Sequence, residues 1–386
     1  MNKAKIISLT ILLSMFILSC SKKSNFIGFE EDIEDKIITD TLTNSINFKK
    51  SYKDSISNYQ GNTKLIVGKF NGVEVRSLLK FKNLPDSAWV DSTTINSCEI
   101  IIKKKFLFDT DFNVNVYKVI KDWKENTVVK DSLWNEYDNQ NVLAEFSTSQ
   151  DTIIFNIEID TLKSWIESDS TNFGIMLKYE NENLENNFIE FYSSEDNNYP
   201  YLQINYTDTT NTDTTKTYKA SEDTFIGYDE NFVNEDTLNF PIINNIYPTR
   251  VVFSFKINSD SLELFPEEFK KITINKAEII FDSIMIDSSF ISDSYLGLKP
   301  YYLSDTINIV YDENIYGIST SKFYTDDYLL EMNITSIIQG YIRGELVNNQ
   351  ILIKSITENK DFSYIKFYDN IKPSLKITYT KPILSE

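Results

Sequence analysis

Four blocks of this sequence occur twice, in the same order. Ile95–Ile102 reads INSCEIII, and Ile274–Phe281 reads INKAEIIF. Trp165, Ile166, Asn172, Ile175, Leu177 and Lys178 are matched by Tyr341, Ile342, Asn348, Ile351, Ile353 and Lys354. FIEFY (Phe188–Tyr192) is matched by YIKFY (Tyr364–Tyr368), and PYLQINYT (Pro200–Thr207) by PSLKITYT (Pro373–Thr380). All four blocks are displaced by 173–179 residues, so the chain holds two copies of one domain. That period exceeds the units of about 20–50 residues found in solenoids and propellers. Each copy is long enough to bury a core of its own.

The copies read as β-structure. The 26 Phe, 23 Tyr and long Ile/Val runs, against 10 Gly and 8 Pro, suit half-buried pleated surfaces. In LQINY, Leu202, Ile204 and Tyr206 share one face while Gln203 and Asn205 take the other, the two-residue period of a strand. One segment per copy breaks the rhythm. Leu162, Trp165 and Ile166 sit at helical spacing behind Asp160, a candidate cap. In the second copy Ile338, Tyr341 and Ile342 repeat the stripe, with Gly344 placed to end it. The expected fold class is all-β: two tandem β-sandwich domains of jelly-roll type, each with one short helix. The expected boundaries are 41–207 for the first sandwich and 217–380 for the second, with a tail at 381–386. The polar run DTTNTDTTK at 208–216 reads as their linker.

Charge and composition exclude whole classes of function. A formal net charge of −19, spread along the chain, opposes nucleic-acid binding. With no histidine, Ser-His-Asp hydrolysis, Cys-His chemistry and imidazole-ligated metals are excluded. No Gly-rich phosphate loop or nucleophile elbow is present either. A carboxylate pair of the glycosidase kind is the chemistry left open.

The N-terminus has the pattern of a targeting segment. Lys3 and Lys5 precede an apolar stretch, Ile6–Leu18, too short to span a bilayer comfortably. It ends in ILSC, similar to a bacterial lipobox, which makes residues 1–20 a signal peptide and Cys20 the lipidated residue. Residues 21–40 then form a tether, and acyl chains contribute about 0.8 kcal/mol of membrane affinity per buried methylene. Ser21 stands where an inner-membrane retention aspartate would, so an outer-membrane address is expected. The other cysteine, Cys98, aligns with Ala277 and reads as a buried strand residue.

The ordered series RSLLKF (Arg76–Phe81), INSCEI, DWKENTV (Asp122–Val128), NFGIML (Asn172–Leu177), FYSSE (Phe191–Glu195) and PYLQINY resembles the DNRLRE domain, which overlaps carbohydrate-binding module family 96. The second copy resembles it more weakly, through RVVFSF, INKAEI and PSLKITY, without the W-x-E segment or the FYSSE ending. The resemblance implies a disulfide-free β-sandwich of secreted and surface proteins, some of which bind acidic or neutral polysaccharides.

Candidate sites follow from chemistry. Trp123, Trp134 and Trp89 could offer flat faces to a pyranose, with Glu125, Asn126 and Asn135 taking its hydroxyls. The alternative for Trp123 and Trp134 is a plug at one end of the sandwich. Asp109 and Asp111, and the loops at Glu195–Asn198 and Thr325–Asp327, carry the oxygen ligands of a structural calcium. Arg76 and Arg250, at equivalent positions before core strands, suit carboxylate bridges at a sandwich edge. The function expected is non-enzymatic: an envelope lipoprotein that binds polysaccharide or mediates adhesion. The alternatives are a structural or protein-docking role, and a glycan hydrolase or lyase. The lipid anchor is directly testable. Cys20→Ser is expected to abolish incorporation of labelled palmitate in cells, and undiminished labelling would refute the lipobox reading.

Overall fold

A computed structural model describes residues 39–381, apart from 54–62, 71, 127–132, 169, 181–185, 230–236, 263, 265, 283–285, 292–294, 317–319 and 325–328. Cys20, the tether before Thr39, the Thr325–Asp327 loop and most of the tail therefore lie outside the described residues.

The chain is all-β. In order come β1 (Thr39–Ser45), β2 (Asn47–Lys53), β3 (Lys64–Phe70), β4 (Val73–Lys80), β5 (Thr94–Phe108), β6 (Asn113–Val119) and β7 (Tyr137–Ser147). Then follow β8 (Thr152–Asn156), β9 (Ile175–Tyr179), β10 (Asn186–Tyr192), β11 (Tyr201–Thr207), β12 (Asp213–Lys219) and β13 (Glu222–Asp229). The remaining strands begin with β14 (Thr237–Leu238), β15 (Ile242–Asn244), β16 (Thr249–Ser254), β17 (Thr273–Asp282), β18 (Ile286–Phe290) and β19 (Leu296–Asp305). They end with β20 (Val310–Tyr316), β21 (Ser321–Phe323), β22 (Leu329–Asn333), β23 (Gln350–Ser355), β24 (Tyr364–Phe367) and β25 (Ser374–Thr380). Among the described residues, short α-helices interrupt them at α1 (Ser87–Ser92), α2 (Ile159–Glu167), α3 (Pro266–Phe269) and α4 (Thr335–Arg343).

Strand pairing shows the duplication and redraws its boundaries. One layer of the first sandwich runs β12-β11-β5 with β8 beside β5; its counterpart in the second runs β1-β25-β17-β22. Opposite them, β10-β3-β4-β9-β6-β7 corresponds to β24-β15-β16-β23-β19-β20. The opening hairpin of each copy is exchanged. β1 pairs with β25 and β2 with β16, so residues 39–53 complete the second sandwich. β12 pairs with β11 and β13 with β4, so residues 213–229 complete the first. The backbone contacts are equivalent: Ile46 N donates to Pro373 O, and Ala220 N to Pro200 O, each at 2.9 Å. Accordingly, the first sandwich spans 64–229 and the second is discontinuous, 39–53 plus 237–380. Within the run expected to be a linker, Asp208 organises a turn by accepting hydrogen bonds from Thr210 N and Thr212 N, and β12 begins at Asp213.

Each sandwich has its own apolar core, and each core includes one residue of the exchanged hairpin, Ala220 in the first and Ile46 in the second. A third cluster joins the sandwiches. Phe70, Phe108 and Phe188 from the first meet Phe290, Phe362 and Tyr364 from the second. Phe188 stacks on Phe362 at 4.4 Å, and Phe108 meets Phe290 edge-on at 4.8 Å. Helix α2 buries Leu162, Trp165 and Ile166 as its spacing requires, although its N-cap is Glu158 and Asp160 lies in the first turn. Helix α4 ends at Gly344, which adopts φ 79° and donates its N–H to Tyr341 O.

The expected consequence is asymmetric autonomy. A fragment spanning 64–229 should melt cooperatively by circular dichroism, whereas 217–380, cut at the repeat boundary, should not. A peptide of residues 39–53 should restore cooperative melting to 230–380. Cooperative unfolding of 217–380 alone would refute the exchange.

Candidate functional site

The distinctive chemistry gathers on the first sandwich. Three carboxylates converge there from separate elements: Glu125 from the segment after β6, Glu195 from the turn after β10, and Asp223 from the exchanged strand β13. Their oxygens lie within 4.8 Å of one another. Asp223 is buried, Glu125 half-buried and Glu195 exposed. Ser194 N donates to Asp223 Oδ2 at 2.6 Å, while the Ser193 and Ser194 hydroxyls donate to Glu195 at 2.7 and 3.2 Å. Burial, and then the neighbouring Glu195, push the Asp223 carboxyl up to about 8. Three acidic oxygens are the donor type a hard cation such as calcium takes, so these are the residues that could hold one. In the second copy, Ile371 stands where the FIEFY/YIKFY match puts Glu195, and among the described residues the cluster is not repeated.

The expected ligands, Asp109 and Asp111, take no part in this cluster. Both are exposed in the turn after β5, Asp109 at φ 65°.

The tryptophans are not arranged as an open platform. Trp123 is 4% exposed, its Nε1 donating to Phe173 O at 2.8 Å, and it packs with Leu78, Val119, Leu133, Met176 and Ile226 in a small cluster apart from the sandwich core. The half-buried Trp134 lies against the Arg76 guanidinium, 3.7 Å from its ring centroid, and near Tyr228. Asp86 caps α1 by accepting from Trp89 N, and the half-buried Trp89 ring meets Tyr206 edge-on at 4.8 Å. Glu125 is drawn into the acidic cluster; Asn126 and Asn135 are exposed and line neither concavity described below. Arg76 pairs with Glu74 at 2.8 Å, and Arg250 pairs with Glu358 through two 2.8 Å hydrogen bonds; these are carboxylate bridges, but both arginines are buried on interior strands, β4 between β13 and β9 and β16 between β2 and β23, rather than at a sandwich edge. Cys98 is buried, and burial followed by Glu99 raises its thiol to about 12, so it is held protonated and unreactive.

Two of the concavities bordered by described residues sit on this sandwich. One, a pocket of about 340 Å³, is lined by Lys80, Asp122, Trp123 and Asn172 among others. Lys80 Nζ there donates to Asp122 Oδ1 at 2.7 Å and lies 5.2 Å from the Trp123 ring centroid. The other is an open groove of about 450 Å³ at the end of the β5-β11-β12 face, lined by Lys103, Asn198, Tyr199, Tyr201, Gln203 and Lys219 among others. Lys103 Nζ donates to Asn198 Oδ1 at 3.1 Å, and Lys219 Nζ lies 4.7 Å from the Tyr199 ring centroid. Tyr199 is 40% exposed, and none of the lining residues is acidic. The register pairs Tyr201 with Lys219 and Gln203 with Thr217, so the groove depends on the exchanged strand. Sequence alternation faced Gln203 outward, and Asn198 lay in a loop already singled out. Lys219 and Asp223 were missed because they follow the repeat boundary.

No family model matches the chain, and no curated protein matches it. Among solved structures, the chain is similar to that of the Macrobrachium rosenbergii nodavirus, at 7% identity over 94% of each chain, with a TM-score of 0.14. A likeness that low carries no argument about fold or function.

The Asp223 environment sets a pH dependence. Its folded value of about 8 lies above the ordinary 3.8, so between them the folded chain holds a proton the unfolded chain has released. Stability therefore falls as pH rises through that window. Asp223→Asn, which cannot ionise, should raise the melting temperature by several degrees at pH 8 and leave it nearly unchanged at pH 4. An equal effect at both values would contradict this. If melting at pH 8 rises with calcium in the parent but not in the variant, Asp223 is one of the ion's ligands.

Proposed function

We propose that this chain is a non-enzymatic, lipid-anchored protein of the bacterial cell envelope whose first sandwich binds a polysaccharide bearing negative charge. The observation that carries the reading is the groove. Lys103 and Lys219 meet Tyr199, Tyr201 and side-chain amides there, with no carboxylate in the lining, on a chain of net charge −19. Tyrosine faces pack against the apolar C–H patches of a sugar ring, amides exchange hydrogen bonds with hydroxyls, and ammonium groups take carboxylates or sulfates. The DNRLRE resemblance supports the same reading, since some of those domains bind acidic or neutral polysaccharides. A shallow, open site gives weak affinity per molecule. Many copies anchored through Cys20 in one membrane would multiply it by avidity.

The aromatic seam between the sandwiches favours a second reading, a stiff spacer or docking element on the cell surface. A glycan array probed with the soluble fragment from Lys36 onward separates the two. Retention of uronate- or sulfate-bearing glycans, weakened at least tenfold in the Lys103→Ala/Lys219→Ala double variant with an unchanged melting temperature, is the expected result. Silence across the array would favour the spacer, and release of cleavage products would overturn the non-enzymatic assignment.

A further inference from the structure

Two apolar tips on the second sandwich belong to no core. Ile307 is 85% exposed and Val347 81%, with Val310 close to the first at 50%. Ile307 lies in the turn between β19 and β20. Asp305 accepts from Ile307 N at 2.8 Å and from Asn308 N at 3.0 Å, and Ile309 takes φ 57°, a conformation unfavourable to a β-branched residue. Ile309 packs against the cluster of Val252, Leu303 and Leu352, which anchors the turn while Ile307 stays in solvent.

Val347 is held beside this turn. Asn348 Nδ2 donates to Ser304 O at 2.6 Å and its N–H to Tyr302 Oη at 3.1 Å, tying the Val347 loop to the base of the turn. Leu346 folds back on Gly340, its N–H donating to Gly340 O, and leaves Val347 outside. The fold does not ask for an apolar residue there. The repeat matches Asn348 to Asn172, which puts Thr171 at the Val347 position in the first copy. Asp305 and Glu345 are the only charged residues in 303–311 and 344–350, on a chain of net charge −19. The tips can thus approach an apolar surface with little of the repulsion that the rest of the chain would bring.

Their position decides what covers them. Helix α4 runs along β17 toward the sheet end where Thr39 lies. Ala277 N donates to Thr335 Oγ1 in the first turn of the helix; further on, Ile274 N donates to Gln339 Oε1 and Gln339 Nε2 to Ile272 O. Thr273 pairs with Thr380, and Thr380 with Thr39. Gly344 ends the helix beyond Gln339, and the Val347 loop follows it. The tips therefore stand at the end of the sandwich where the expected tether enters. A tether of residues 21–38 reaches at most about 65 Å from Cys20, so the membrane holding Cys20 is a surface within reach of this end.

We infer that this end of the second sandwich docks on the lipid bilayer that holds the acyl anchor, with Ile307 and Val347 entering the boundary between headgroups and acyl chains. The inference rests on the lipid-anchor reading. Two aliphatic side chains bind a bilayer weakly from solution, but the anchor makes the contact intramolecular and raises the local concentration of lipid.

An environment-sensitive fluorophore on Val347→Cys in the lipidated full chain, reconstituted in phosphatidylcholine–phosphatidylethanolamine vesicles, tests the docking. Cys98 is buried with its thiol held protonated, and Cys20 is acylated, so the label is specific. Emission should shift to the blue. Nitroxide-bearing lipids should quench it at least threefold more than a label on Ile154→Cys, a 58% exposed position of the first sandwich. Ile307→Asp, at a side chain outside the core, should keep the melting temperature and abolish the quenching at Val347→Cys. Flotation with the vesicles separates the two readings: a chain that does not float refutes the anchor and the docking with it. A chain that floats with Val347→Cys quenched no more than Ile154→Cys, or equally quenched in Ile307→Asp, overturns the docking alone. A blue shift that grows with protein concentration but escapes quenching would overturn it in favour of a second copy of the chain.

Discussion

The architecture depends on how the open edge of each copy's last strand is closed. β11 and β25 would each expose a row of unpaired backbone groups unless a further strand lay alongside. For β11 that strand arrives after the five-residue turn Asp208–Thr212. Closing so short a loop, rather than one enclosing a whole copy of about 150 residues, saves about 3 kcal/mol of chain entropy at about 0.6 kcal/mol per doubling. The first hairpin must then reach across to β25, and its second strand pairs with β16 rather than with nearby β4, which offsets much of that advantage. Local pairing displaces the hairpin that belongs to the first copy by sequence, and the displaced hairpin fills the vacancy at the far end.

This exchange makes the interface between the sandwiches consequential. The chain crosses from one to the other twice, after β2 and after β13. Between the crossings, Phe70, Phe108 and Phe188 interlock with Phe290, Phe362 and Tyr364. Aromatic pairs at these separations contribute about 0.5–1.5 kcal/mol each beyond the area they bury. The two sandwiches are accordingly fused rather than strung together. Groove, pocket and acidic cluster all lie on the first, while the expected tether from the N-terminus enters the second.

Much of the scaffold was legible in the sequence, for a physical reason. Core strands must alternate and amphipathic helices must repeat at i, i+3 and i+4, so Leu202, Ile204, Leu162, Trp165 and Ile166 declared their faces. The Thr-rich run after Asp208 did not, because an edge strand that is mostly exposed needs no apolar alternation; β12 is polar along nearly its whole length. Missing β12 meant missing Lys219 and Asp223, whose partners lie across a boundary that local pattern cannot see. Trp123 failed differently. Aromatic type alone does not distinguish a ring that faces a ligand from one that backs the lysine beside it.

The antiparallel pairing of Thr39–Ser45 with Ser374–Thr380 puts the two ends of the described chain side by side. Structurally, then, the repeat is out of phase with the sequence: each sandwich is finished by the opening of the next copy, and the last is finished by the opening of the first. Such an arrangement is a closed ring of two. A third copy inserted in the middle would extend it easily at every junction but one. The first hairpin would then have to span two intervening sandwiches to reach the final strand, so the scaffold resists the simple lengthening by which tandem repeats ordinarily grow.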